Sequence, residues 1–220
     1  MPGGWAMSMA WMRMPGQSWP QAFLMYLAMW ETMMVAMMGP SVFPWLKQFR
    51  RTATPSETAL MAGSYFFVYL LIGAASYPFG VSLAIAAMRW PTVSRLIPFL
   101  SAGTLLIAGA IQWTPWKMAH LRQCRDPLNC CALARNGKLF GAWGSGLHWG
   151  VSCALCCSGI MLCLFVLGMM NPYVILILTV VITFERLLPH PERVARISGL
   201  AAFIIGAIPL ACLLLHYQFP

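Results

Sequence analysis

Acidic residues are scarce in this sequence: five Asp and Glu stand against fourteen Lys and Arg in 220 residues, and charged residues make up only 9%. A soluble domain carries nearer a quarter, so this chain is not built to present an ordinary surface to water. The glycine patterns of Rossmann and P-loop sites are missing, as is a Gly-x-Ser-x-Gly nucleophile elbow. No stretch has the composition of a long soluble domain, and a non-enzymatic role is expected. The eight cysteines do not form a secreted disulfide framework, since the chain is not short and shows no signal peptide with a small-residue cleavage site. The first apolar run is therefore expected to stay. The net charge of +9 does not point to nucleic acid, because the basic residues lie in short connectors between apolar runs, where they act as topology signals.

What the chain does have is apolar length. It is 60% hydrophobic with mean hydropathy +0.72, the balance of an all-α, polytopic membrane protein. The apolar runs predict six transmembrane helices, at about 20–38, 58–88, 96–116, 141–170, 173–188 and 194–215, behind a Met- and Trp-rich interfacial leader over 1–19. Gly39-Pro40 is expected to end the first, and Gly73, Pro78 and Gly80 to kink or tilt the second. A sizeable polar loop is expected after the third, carrying His120, Arg122, Cys124, Arg125, Asp126, Cys130 and Cys131. Eleven of the fourteen basic residues fall in the connectors after spans one, three and five. The positive-inside rule then makes those connectors cytoplasmic and puts both termini outside.

The chemistry concentrates in the fourth run. Cys153, Cys156 and Cys157 are spaced to share one broad helical face, and His148 lies nearby in sequence. One buried cysteine is a small hydrophobe; three on one face with an imidazole suit a thiophilic metal. Eleven of the seventeen methionines lie in the first 38 residues. Met25, Met29, Met33 and Met37 form an i, i+4 row that reads either as core filling or as thioether ligands, with Met33 and Met37 as candidate partners of the thiols. Glu31 is expected near mid-membrane, at a depth similar to that of the cysteines, where a carboxylate is neutral, paired or functional. His120 and Cys124, four residues apart, read either as a small cytoplasmic metal site or redox pair, or as part of a solvated connector with reduced thiols. Glu185-Arg186, at the end of the fifth run, are expected to play a structural role at the interface. Thioether, thiolate and imidazole ligands together suit Cu(I), with zinc a weaker fit.

Several local patterns also carry a resemblance. Met7-Ser8-Met9-Ala10-Trp11-Met12-Arg13-Met14, Met29-Trp30, Met33-Met34-Val35-Ala36-Met37-Met38, Pro40, Gln112, Thr114-Pro115, Lys117, Cys124-Arg125, Pro127, Gly146, His148, Gly150, Cys153, Cys156-Cys157, Met161, Gly168, Met170, Glu185-Arg186 and Pro189 span nearly the whole chain. In these the sequence resembles a bacterial family of predicted metal-binding integral membrane proteins, some of whose members carry the label copper chaperone. His120 stands where that family commonly has Cys, and Glu31 where it is often apolar. The resemblance implies metal binding in the bacterial inner membrane. With the residues, it leads to the expectation of Cu(I) delivery or translocation, with a copper-receiving protein or membrane complex as partner. A structural subunit of a larger complex and a membrane thiol oxidoreductase are the alternatives.

Overall fold

The computed structural model describes residues 11–13, 15–51, 53–125 and 138–218, and of 138, 214 and 216–218 the backbone alone. Most of the expected leader, including Met7, Met9 and Met14, and the loop residues Cys130 and Cys131 lie outside the described residues. Eight helices follow one another: α1 (Trp19–Phe49), α2 (Pro55–Arg89), α3 (Pro91–Gln112), α4 (Pro115–Arg125), α5 (Lys138–Cys156), α6 (Ser158–Leu167), α7 (Pro172–Leu187) and α8 (Pro191–Gln218). There is no strand among the described residues.

Proline punctuates the bundle. Pro55, Pro91, Pro115, Pro172 and Pro191 each open a helix, where the missing N–H costs nothing and the fixed φ is already helical. Ser18 and Thr54 complete capping boxes with Gln21 and Glu57, and the Asn171 side chain accepts from the Tyr173 N–H.

The structure departs from the expected spans in instructive ways. α1 does not stop at Gly39-Pro40 but runs through Pro40 and Pro44 to Phe49. Proline removes one helical donor without forcing an end where neighbouring helices hold the segment in place. The expected polar loop begins as a helix, α4, after a turn at Trp113-Thr114. The fourth run is two helices, bent by 60° at Cys157.

Four helices, α1, α2, α3 and α8, are long and apolar enough to cross a membrane, and α5 with α6 make a fifth if the bent pair crosses as one. The expected fifth span, α7, has 16 residues. That is about 24 Å of helix against a hydrocarbon core of about 30 Å, so the count of six is not reached by length alone.

α2 packs on α1 and α5, α3 on α8 and α6, and α7 on α1 and α8; α4 lies across α5 and touches α7. Trp11, expected at an interface, packs between Tyr26 and Phe165, with ring centroids 5.4 Å and 6.5 Å away. The buried centre contains Trp30, Met34, Met37, Met38, Tyr65, Tyr69, Trp149 and the cysteines of α4, α5 and α6.

Candidate metal centre

The site begins with two glycines. Gly146 and Gly150 lie one turn apart on the face of α5 that meets α2. A Cβ at Gly146 would strike the Ser64 hydroxyl and the Met61 carbonyl; at Gly150 it would come within 3.0 Å of the Tyr65 carbonyl oxygen. Small residues at this spacing let two backbones approach closely. Cys153, almost one turn further on, is thereby brought against α2, with its sulfur 2.9 Å from the Tyr65 hydroxyl and 2.7 Å from that of Tyr69.

Cys124, Cys153 and Cys156 offer three sulfurs that all lie within 4.8 Å of one another, and all three residues are buried. Cys124 Sγ is 3.3 Å from Cys156 Sγ, and Cys157 Sγ is 3.6 Å from Cys156 Sγ. Metal–sulfur bonds of about 2.3 Å would set the sulfurs of a trigonal site roughly 4 Å apart, so a soft ion fits the set with small adjustments. Cys157 is the hinge between α5 and α6, with φ −92° and ψ 1°. Its N–H still donates to the Cys153 carbonyl at 3.0 Å and its carbonyl still accepts from Met161 at 2.9 Å, so the chain bends without orphaning these groups.

Cys124 comes from another part of the chain. α4 lays its buried residues Lys117, Leu121 and Cys124 inward at helical spacing, and the Trp149 indole donates to the Cys124 carbonyl at 3.3 Å. The Cys124 thiol titrates well above the ordinary cysteine range, chiefly because of its hydrogen bond with Cys153, with burial adding to the effect.

Beside the sulfurs lies a cation. Arg186 on α7, 4% exposed, donates from Nη2 to Cys153 Sγ and, at 3.8 Å, to Cys157 Sγ; its Nη1 donates to the Ser41 hydroxyl at 3.1 Å. Its neighbour Glu185 turns to α4, where both carboxylate oxygens accept from Lys117 Nζ at 2.9 Å and 2.8 Å. Ser198 donates to the same carboxylate at 3.1 Å, and Arg125 to the Glu185 carbonyl at 3.3 Å. Glu185-Arg186, expected to play a structural role at the interface, are both buried where α1, α4, α5 and α7 meet.

The other sequence candidates are distributed as follows. Cys153, Cys156 and Cys157 do converge, and Cys124, expected in a separate loop site with His120, joins them. His120 is partly buried and lies edge-on to Trp116 with ring centroids 4.8 Å apart; it is outside the cysteine cluster. His148 is exposed. Five residues before Cys153 place it about 140° round the helix from that sulfur, so it cannot serve as a central ligand while α5 is intact. Met33 and Met37 are buried, and Ser41, one turn beyond Met37, reaches Arg186. Glu31 is partly buried, with Oε2 lacking a hydrogen-bond partner among the described residues. It stands ten residues before Ser41, about 15 Å along α1 from the serine that reaches Arg186.

Sequence reading missed Tyr65, Tyr69 and Arg186 as neighbours of the site. Two tyrosines four residues apart in an apolar helix, and a charged pair closing an apolar run, were the available signals. No curated protein and no solved structure matches the chain. The profile of the copper chaperone family PpoB2 matches residues 27–209, a stretch that contains α2 through α7 entire and every residue placed at the centre above. The chain belongs to this copper chaperone family.

Proposed function

We propose that the protein is an integral membrane copper chaperone that holds Cu(I) on Cys124, Cys153 and Cys156 and passes it to an acceptor protein or membrane complex. The observation that carries this reading is the buried set of three sulfurs within 4.8 Å of one another, gathered from two helices in a chain of the copper chaperone family. Soft thiolates select Cu(I) without metal-centred redox chemistry, and burial keeps the bound ion from water and adventitious oxidants.

In this reading the bundle sits in the bacterial inner membrane with both termini outside. α7 crosses as the short sixth element because α1 and α8 cover it. The buried methionines of α1, Met33 and Met37 among them, form the approach to the thiols, and α4, with His120 on its outer part, forms the cytoplasmic side of the site. The protein's role is to bind and hand on the ion, and no enzymatic step is assigned to it.

The test is metal analysis of the full-length protein purified in detergent under reducing conditions, with and without serine at Cys124, Cys153 and Cys156. Close to one copper per chain is expected in the wild type and almost none in the triple variant, with size-exclusion behaviour unchanged. Full copper occupancy in the triple variant would end this assignment. The 3.3 Å separation of Cys124 and Cys156 sulfurs on different helices favours a thiol oxidoreductase as the second reading. That alternative predicts a Cys124–Cys156 disulfide in the isolated protein and no copper.

A further inference from the structure

The buried charges at the centre do not cancel within the protein. Lys117, Glu185 and Arg186 are the charged residues buried among the described residues, and Lys117 and Glu185 neutralise one another at 2.8 Å. Arg186 is left over. A guanidinium does not shed its proton, and removing it from water without a counter-charge costs several kcal/mol. Its partners are two sulfurs and one hydroxyl, and its Nε has no hydrogen-bond partner among the described residues. The anion that this cation requires is therefore thiolate.

That arrangement bears on which ion the cysteines prefer. A monovalent ion held by two thiolates, with the third cysteine contributing a neutral thiol, leaves one negative charge in a pocket sealed from water. A divalent ion on the same two leaves none. With Arg186 alongside, the monovalent complex becomes neutral, whereas the divalent one carries a surplus positive charge until a further thiol gives up its proton. We propose that Arg186 is a specificity-determining counter-cation, which sets the preference of this centre for a soft monovalent ion by neutralising its two-thiolate complex. The inference rests on the reading that the cysteines bind metal, and adds a role for a residue that is not itself a ligand.

Ser41 holds the guanidinium from the α1 side. This provides two independent ways to cancel its charge. Arg186→Gln removes the cation; Ser41→Asp keeps it but gives it a carboxylate partner at the place where the serine hydroxyl now accepts. Arg186→Lys keeps the charge and loses the fork of donors.

The experiment measures Cu(I) and Zn(II) affinities of the full-length protein in detergent, each by competition with a chromophoric chelator. Arg186→Gln and Ser41→Asp should each weaken Cu(I) by about 100-fold, the scale of breaking a buried charge pair, while changing Zn(II) by less than about 5-fold. Arg186→Lys should restore most of the copper preference. A purely structural role for Arg186 would lower both affinities together, and that outcome overturns the proposal. So does an Arg186→Lys protein that loses copper as fully as the glutamine variant, or a Ser41→Asp protein whose Cu(I) and Zn(II) affinities are both unchanged. If Arg186→Gln fails to accumulate, Ser41→Asp and Arg186→Lys decide the matter between them. Wild type that holds no Cu(I) under reducing conditions sinks the cysteine reading and this inference together, whereas copper lost on cysteine replacement but indifferent to charge at Arg186 removes only the latter.

Discussion

Glu185 and Arg186 are consecutive residues on α7, both buried, yet they belong to different kinds of environment. About 100° of helical turn separates their side chains. On one side the Glu185 carboxylate meets Lys117 and Ser198, a closed ion pair whose hydrogen bonds are made within the protein. On the other side Arg186 meets polarisable sulfurs that are themselves candidate ligands. A buried charge satisfied by another fixed charge holds helices together, while one satisfied by ligand atoms is available to respond to whatever those atoms bind. The contrast separates the stability of the bundle from the affinity of the site, and mutations can test that separation.

The largest expected effect lies on the closed side. Replacing only Lys117 with Met, or only Glu185 with Gln, leaves its partner buried without a counter-charge and should destabilise the fold by about 3–5 kcal/mol. Thermal unfolding followed by loss of monodisperse protein reads this. The double variant, Met at both positions, should recover most of the loss, because two apolar side chains of similar volume leave no charge behind. Copper affinity should stay within about 10-fold in that double variant, the allowance being for α4, which carries both Lys117 and Cys124. If the double variant is no more stable than either single one, the pair does more than neutralise itself and the comparison fails.

On the open side, Cys124→Ser should reverse the pattern. Removing one of three sulfurs replaces a soft ligand with a hard hydroxyl and should weaken Cu(I) by about 10- to 100-fold, on the scale of losing one favourable ligand contact. The fold should change by less than about 1 kcal/mol, since serine is close to cysteine in volume. Equal losses of stability and copper affinity would mean that α4 is held by this sulfur as well as by Lys117. A smaller effect of the same kind is expected from Tyr69→Phe, whose hydroxyl lies 2.7 Å from Cys153 Sγ. Loss of one hydrogen bond to a charged sulfur costs about 1.5–3 kcal/mol when the sulfur stays unsatisfied. Here Tyr65 and Arg186 remain in contact with it, so the lower end is expected, read as about a 10-fold fall in copper affinity.

How far the sequence foretold this centre depends on which forces placed each residue. Helix-forming runs and the shared face of Cys153, Cys156 and Cys157 were legible because both follow from local periodicity. Cys124 was legible as a metal-type residue but was assigned to the wrong neighbourhood. Its convergence with Cys156 depends on α4 folding back across α5, which is a tertiary choice fixed by Lys117–Glu185 and Trp149. His148 was drawn in by nearness in sequence, although its five-residue offset already contained the argument against it. The end of α1 was misplaced because Gly39-Pro40 is a stop signal in water, whereas a helix packed against its neighbours tolerates an internal proline and runs past it. Arg186 was underrated because the sequence does not show that its charged neighbour, Glu185, is taken by another partner.

Glu31 gives the smallest expected effect and the sharpest check on the division between the two environments. It is an ionisable group in an apolar helix, like Glu185, but it has no Lys117; it is a buried acceptor oxygen near the methionine row, like a ligand, but it has no sulfur cluster beside it. Its distance along α1 from Ser41, about 15 Å, puts it beyond direct contact with an ion on the cysteines. A carboxylate in apolar surroundings with one unsatisfied oxygen contributes little that an amide of the same shape would not. Glu31→Gln should therefore change stability by less than about 0.5 kcal/mol and leave Cu(I) affinity within about 2-fold. The expectation differs for copper uptake rate if the ion travels along the methionine face of α1, because a carboxylate beside that path would attract the cation before it reaches the thiols. Rapid-mixing measurement of Cu(I) loading separates these roles. A slower on-rate with unchanged affinity would place Glu31 on the route to the centre. Unchanged rate and affinity would leave it as an incidental acid on the partly buried side of α1. A large fall in equilibrium affinity is the result the present geometry forbids, and it would mean that the ion's site extends along α1 well beyond the sulfurs.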